Sequence, residues 1–201
     1  GDIKKIKNIA SSICQSKEAG NEIVVVVSAM GQTTDDLNCL AESISKNPNR
    51  RELDMLLSTG EQVTIALLSM ALNEYGIPAI SMTGSQVGII TESIHGKARI
   101  LDIKTERIQN YINQGFVVVV AGFQGTTLSH TGSMEITTLG RGGSDTSAVA
   151  LSTALGAETC EIYTDVPGVL TTDPRIVPNA KLLDEISCEE MLELASVGAS
   201  V

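Results

Sequence analysis

The chain has 201 residues, with 24 acidic against 14 basic side chains and a formal charge of -10. That length holds one large α/β domain with a real core. The acidic balance, read as plain solvation, argues against nucleic acid and anionic membranes, which need a basic footprint, and with aromatics at 2% there is no platform for stacked bases.

Ile3, Ile6, Ile9, Ala10, Ile13 and Cys14 recur at helical spacing, and Gly20 follows as a stop. Ile23 to Val27 and Phe116 to Val120 are β-branched or apolar runs, the pattern of parallel strands covered on both faces. Small-residue loops follow each, Ser28-Ala29-Met30-Gly31 and Ala121-Gly122-Phe123-Gln124-Gly125. Between them the patterning predicts a helix from Thr34 to Ser45, a longer one from Arg51 to Tyr75 and a strand from Pro78 to Met82. A short strand at Val87 to Thr91 and a helix from Lys104 to Asn113 follow. Thr126 to Glu135 reads as a surface loop or hairpin. Further on come a helix from Thr146 to Leu155 closed by Gly156, a strand from Glu158 to Thr164, a turn-rich stretch to Pro178 and a helix from Ser187 to Ser196.

Strands alternate with helices, which predicts one domain folded as a three-layer α/β/α sandwich with a mainly parallel sheet. In such sheets ligands bind at the carboxyl ends of the strands. Ser28, Gly122 to Gly125 and Thr164-Asp165 all fall at predicted strand ends, so residues far apart in sequence would line one rim.

The four cysteines form no CxxC pair and have no histidine beside them, so a zinc site is not expected. Cys14, Cys160 and Cys188 read as small core residues. Reduced thiols without a signal peptide place the chain in the cytosol. The purely apolar runs are too short to span a membrane. The sequence contains no GxxxxGK[ST], no GxGxxG and no serine-centred nucleophile elbow.

The richest stretch is Thr137-Thr138-Leu139-Gly140-Arg141-Gly142-Gly143-Ser144-Asp145-Thr146. Its glycines admit a ligand close to the backbone, and Ser144 or Asp145 is placed to cap the following helix. The free N–H groups of that helix start attract an anion, and Arg141 adds a planar fork for a carboxylate or phosphate. Thr59-Gly60-Glu61 interrupts a helical pattern with a glycine that costs roughly 1 kcal/mol against alanine. It is either a surface break or a helix start that presents Glu61 to a cationic group. Tyr163 to Arg175 is strand, turn, short strand and turn. It serves either as a structural hairpin or as the seat of a nucleotide.

Five motifs stand in register across nearly the whole chain: Val26-Val27-Ser28-Ala29-Met30-Gly31, Ser58-Thr59-Gly60-Glu61, Gly122-Phe123-Gln124-Gly125, the Gly140 to Asp145 segment, and the block from Thr164-Asp165-Val166-Pro167-Gly168-Val169 to Thr171-Thr172-Asp173-Pro174-Arg175. Together they resemble the aspartokinases of the amino acid kinase family. The resemblance implies transfer of the γ-phosphoryl of ATP to the side-chain carboxylate of aspartate. The product is 4-phospho-aspartate, in the first step toward lysine, threonine and methionine. It implies an aspartate site of Ser28, Thr34, Glu61, Phe123, Arg141, Ser144 and Asp145, with backbone contacts from Gly142 and Gly143. Arg141 would clamp the substrate α-carboxylate, Glu61 would take the α-ammonium, and Asp145 would help orient the substrate. Thr164, Asp165 and the stretch Leu170, Thr171, Thr172, Asp173, Pro174 and Arg175 would form the ATP site, with Mg²⁺ riding on the phosphates.

A carboxylate nucleophile is ionised at neutral pH and needs no general base. The task reduces to aligning two anions and neutralising their repulsion. Members of the family begin with a strand ending in a Lys-Phe-Gly-Gly motif, whose lysine bridges the phosphates. They run on past the segment Gly198 to Val201, many carry lysine where Ser200 stands, and regulatory ACT domains follow. The resemblance therefore implies a catalytic-domain fragment, inactive or weak alone, from a parent that commonly pairs with itself. Two alternatives are a kinase for another acid, such as glutamate or acetylglutamate, and a kinase-like module that binds amino acid or nucleotide without turnover.

Overall fold

A computed structural model describes residues 2–128, 134–164, 168–173 and 175–196. They fall into two compact units, 1–160 and 161–201.

The first unit is built on a three-stranded, wholly parallel sheet. Its strands are β1 (Val24–Val27), β2 (Ala79–Met82) and β5 (Val117–Ala121), in the order β1-β5-β2. All five residues of the central strand β5 are fully buried. This is why its sequence is a continuous β-branched run: both faces carry helices. On one face α1 (Ile3–Glu18) and α4 (Thr59–Glu74) bring Ile6, Ala10, Ile65, Leu68 and Leu72 against Val117, Val119 and Ala121. On the other, α6 (Glu106–Asn113) and α7 (Gly143–Leu155) bring Ile108, Ile112 and Leu151 against Val118 and Val120. Each buried Val, Leu or Ile contributes about 1.5–3 kcal/mol. The odd and even residues of one strand therefore hold the two helical layers, and the three-layer α/β/α architecture follows. Asp2 starts α1 by accepting from the Lys5 N–H at 2.8 Å.

A second sheet lies in the same unit, made of β3 (Ile89–Thr91), β4 (Ile100–Ile103), β6 (Gln124–Thr127) and β7 (Ile136–Thr138), in the order β4-β3-β6-β7. Only its β3–β6 pair is parallel. Gln124 and Gly125 are thus strand rather than loop, and β6 and β7 form the arms of a hairpin whose residues 129–133 lie outside those described.

The long helix expected from Arg51 to Tyr75 is divided at Ser58 into α3 (Arg50–Leu57) and α4. By length and composition the run from Arg50 to Glu74 could cross a bilayer, but half of its most apolar window is buried within the protein. Between β2 and β3 the structure has a one-turn helix, α5 (Gly84–Val87), closed by a Thr83/Gln86 capping box, so the strand begins at Ile89 rather than Val87.

The strand expected from Glu158 to Thr164 is not formed. These residues are exposed and pair with no described strand, and a strand has no standing outside a ladder. Cys160 and Cys188 are exposed and Cys14 is half-buried, so only Cys14 approaches the core role expected of all three. In the second unit, Leu170 and Leu182 form an isolated antiparallel bridge, and α8 (Cys188–Ser196) follows.

Candidate active site

The site is assembled where β1 and β5 end side by side. The Gly122 N–H donates to the Val27 carbonyl at 3.0 Å, so the loops that follow the two strands start as neighbours. Ser28 is exposed at this edge, and the next residue, Ala29, donates its N–H to Glu61 Oε1 at 3.0 Å.

That contact depends on Gly60. A Cβ on Gly60 would lie 2.9 Å from the Ala29 Cβ, so only glycine lets the first turn of α4 close on the loop. Of the two readings of Thr59-Gly60-Glu61, the structure has the helix start. Glu61 is only 3% exposed, and its second oxygen, Oε2, has no hydrogen-bond partner among the described residues. Burial pushes the Glu61 carboxyl above its ordinary range, opposed by the hydrogen bonds from its own N–H and from Ala29. A buried carboxyl oxygen without a partner is costly and calls for an explanation. Any hydrogen-bond donor satisfies it, and a cationic one most strongly.

Thr34 is half-buried in α2 (Thr33–Ile44), whose start is fixed by Thr33 donating to the Met30 carbonyl at 2.6 Å. The Thr33 methyl lies 3.5 Å from where a Gly60 Cβ would sit, so α2 and the start of α4 flank the same loop.

On the β5 side, Phe123 has φ +67, the only positive φ of a non-glycine residue among those described. Left-handed backbone costs an L-residue roughly 1–2 kcal/mol. Two hydrogen bonds hold it there: its N–H donates to Ser147 Oγ at 3.1 Å, and its carbonyl accepts from the Leu139 N–H at 2.9 Å. Phe123 therefore joins the end of β5 both to α7 and to the segment that precedes Arg141. A Cβ on Gly122 would sit 2.9 Å from the Ser144 Cβ and Oγ, which brings the first turn of α7 hard against the end of the strand.

The helix start differs from expectation. Neither Ser144 nor Asp145 caps α7. The N-cap is Gly142, at φ +70, no side chain among the described residues closes the helix end, and Ser144 and Asp145 lie within the first turn. The uncapped terminus leaves first-turn N–H groups for a ligand. Arg141 is exposed between Gly140 and Gly142 in a turn closed by the Gly143 N–H on the Gly140 carbonyl at 3.0 Å. Asp145 is exposed, Ser144 is half-buried and Gly143 is buried.

The residues assigned to a nucleotide fall in the second unit. Thr164 is exposed, Leu170 is half-buried, and Thr171 and Thr172 are exposed. Thr171 donates its N–H to the Lys181 carbonyl at 2.8 Å and accepts from the Lys181 N–H at 3.0 Å through its hydroxyl. Arg175 grips Asp173 through Nε and Nη2 at 2.6–3.0 Å, which holds the Asp173 carboxyl below its usual range. Asp165 and Pro174 lie outside the described residues. Among the described residues no cluster of His, Cys, Asp or Glu could hold a metal ion.

Sequence reasoning missed three supporting residues. Ser147 anchors Phe123, Gln124 donates to the Ser58 carbonyl at 3.0 Å where α3 meets α4, and Asp54 is buried in α3. For Asp54 a signal was present: an acidic residue at an inward position of an otherwise apolar stretch, Leu53 to Leu57.

Helices on both faces of a parallel sheet, with a glycine-rich loop and a helix start at the strand ends, define an α/β domain with a candidate ligand site at its rim. The chain matches the amino acid kinase family over residues 1–201, and it belongs to that family. It is 61% identical, over its full length, to an aspartokinase of Bacillus sp. (strain MGA3), of which it covers 48%. Among solved structures, aspartate kinase from Synechocystis is similar at 60% identity and a TM-score of 0.83, over 98% of this chain and 32% of that one. Aspartokinase III of E. coli in complex with aspartate and ADP is similar at 34% identity and a TM-score of 0.70, over 84% of this chain and 37% of that one. The chain spans about half the length of the curated relatives it matches.

Proposed function

We propose that these residues form the catalytic core of an aspartate kinase, which transfers the γ-phosphoryl of ATP to the side-chain carboxylate of L-aspartate. The observation that carries this reading is the unpartnered, buried Oε2 of Glu61, set at the same strand ends as an uncapped helix N-terminus flanked by Arg141. A small molecule with one ammonium and two carboxylates fits such a set. Glu61 takes the ammonium, Arg141 the α-carboxylate, and the first turn of α7 faces the anionic reacting end, with Asp145 orienting the substrate.

Ser28, Thr34, Phe123, Gly142, Gly143 and Ser144 complete the aspartate side. The similarity to an enzyme crystallised with aspartate and ADP supports both halves of the reading. Thr164, Asp165 and the stretch Leu170 to Arg175 are assigned to the nucleotide. Mg²⁺ bound with the nucleotide would supply charge neutralisation there. The protein's own part is positioning. Arg141 and the α7 N–H groups hold an ionised nucleophile in place without any proton transfer, and fixed donors stabilise charge without reorganising.

Hydroxylamine trapping tests the reading in the full chain that carries these residues. With ATP, Mg²⁺ and aspartate it yields aspartyl hydroxamate. Product with glutamate but none with aspartate refutes the assignment.

A further inference from the structure

Asp54 lies outside the site just described, yet its carboxyl accepts four hydrogen bonds from three residues. It is 1% exposed. Its Oδ2 accepts from His95 Nδ1 at 2.8 Å, from the Gly96 N–H at 3.1 Å and from the Thr138 N–H at 3.2 Å, while Oδ1 accepts from the Thr138 hydroxyl at 2.7 Å. Four donors on one side chain require an acceptor at both ends, which a carboxylate supplies. Its partners lie 41, 42 and 84 residues away in sequence.

The placement of these partners gives the cluster its meaning. Asp54 is on α3, four residues before Ser58, where α4 and then Glu61 begin. Thr138 is the last residue of β7, three before Arg141. Gly96 touches the same loop from the other side, because a Cβ on Gly140 would lie 3.3 Å from the Gly96 carbonyl. Ala98 also donates to the Thr138 carbonyl at 2.9 Å. One buried side chain thus ties together the segments that lead into Glu61 and into Arg141. Around it, His95 Nε2 lies 3.5 Å from Glu135 Oε2, and Arg51 Nε donates to Glu135 Oε1 at 3.3 Å, which closes the cluster toward solvent.

We propose that Asp54 is a positioning residue for phosphoryl transfer: through Thr138 and Gly96 it sets the Gly140–Arg141 turn at a fixed distance from the helix start that carries Glu61. The proposal rests on the assignment of Arg141 and Glu61 to the amino acid substrate. Asp54 does not touch the substrate. Its effect falls on how well the two ends of aspartate are held, and a misplacement of about 1 Å at such a site costs up to roughly 100-fold.

The test is steady-state kinetics on the full chain with Asp54→Ala, Asp54→Asn and Thr138→Val, beside Arg141→Ala as a control. Asp54→Ala removes all four bonds, and the aspartate KM rises roughly 10- to 100-fold with the ATP KM within about twofold of wild type. Asp54→Asn keeps a carbonyl for the backbone N–H groups of Gly96 and Thr138 but sets an amide donor where Oδ1 accepted from the Thr138 hydroxyl, so the aspartate KM rises by less than in Asp54→Ala. Thr138→Val removes a single donor from a nearly isosteric side chain, so its rise is about threefold or more. It decides the matter where Asp54→Ala fails to fold.

Loss of thermal stability with an unchanged aspartate KM in Asp54→Ala or Thr138→Val overturns the proposal and leaves Asp54 a structural residue. An equal rise in both KM values overturns it too. If Arg141→Ala leaves the aspartate KM unchanged, the substrate assignment itself has failed. If Arg141→Ala raises it and the Asp54 and Thr138 variants do not, only the positioning role has failed.

Discussion

Glu61→Gln separates binding from stability at one position. In the folded protein Oε1 is satisfied by Ala29 and Oε2 has no partner among the described residues. Glutamine keeps the first contact and replaces a charged orphan by a neutral one. A buried unsatisfied polar group costs about 1–3 kcal/mol, and more when charged. The substitution is therefore expected to stabilise the free protein by on the order of 1 kcal/mol, or about 2–4 °C in Tm for a chain of this size.

The pH dependence follows from the direction of the shift. Burial raises the folded-state value above the ordinary 4.5. The folded protein therefore binds the proton more tightly than the unfolded chain does. The penalty of ionised Glu61 is fully present above the raised folded value and disappears as pH falls to the unfolded value. The advantage of glutamine shrinks over that same window. Binding moves the other way. A charge-assisted hydrogen bond contributes about 1.5–3 kcal/mol, so its loss raises the aspartate KM roughly 10- to 150-fold. In the unsubstituted protein the aspartate KM also rises as Glu61 is protonated at falling pH, and the variant lacks that component. Thermal melts from pH 4 to 8 and aspartate titrations over the same range provide the measurements. A lower Tm together with an unchanged aspartate KM refutes the reasoning.

Gly84→Ala places a Cβ 2.1 Å from the Gln124 carbonyl oxygen and 2.7 Å from its carbon, so backbone must move. Urea unfolding is expected to show a loss of about 3 kcal/mol or more. Gly122→Ala drives a Cβ into Ser144 at 2.9 Å and shifts the start of α7 off the strand end; the aspartate KM rises while the ATP KM holds, as read in initial-rate kinetics. Asp2→Ala removes the N-cap of α1 and costs about 1 kcal/mol in thermal or urea unfolding, with kinetics untouched.

The sandwich was legible because β1 and β5 are continuous β-branched runs and the helices carry clear apolar stripes. β4 was not. Ile100-Leu101-Asp102-Ile103 is half-exposed and owes its strand state to pairing with β3, a long-range fact that no local pattern records. Glu158 to Thr164 failed in the opposite sense: its composition favours a strand, but no described strand pairs with it. The Thr83–Gln86 capping box is written in the sequence as T-x-x-Q, but Gly84 within it and Gly88 after it mask so short a helix. In the site, the sequence marked Gly60 and Gly122 as unusual but could not say that they are small so as to meet Ala29 and Ser144. The cap of α7 was misassigned because Gly142, in left-handed backbone, begins the helix ahead of the better capping residues.

Three locally unfavourable features stand at the same strand ends: an orphaned carboxyl oxygen at Glu61, left-handed backbone at Phe123 and an uncapped helix start at Gly143. Each costs on the order of 1–3 kcal/mol, in a chain whose total stability is expected to be about 5–15 kcal/mol. Scattered over the surface they would be defects. On the function proposed above, their concentration here makes them complementary to one ligand. An ammonium satisfies Glu61, and an anion satisfies both the helix start and Arg141, so a molecule that carries both charges relieves the first and third features in one binding event. Such a ligand stabilises the folded chain by RT ln(1 + [L]/Kd). A monoamine or a dicarboxylate without the amine relieves only one of them, so at equal concentration each raises Tm less than aspartate does.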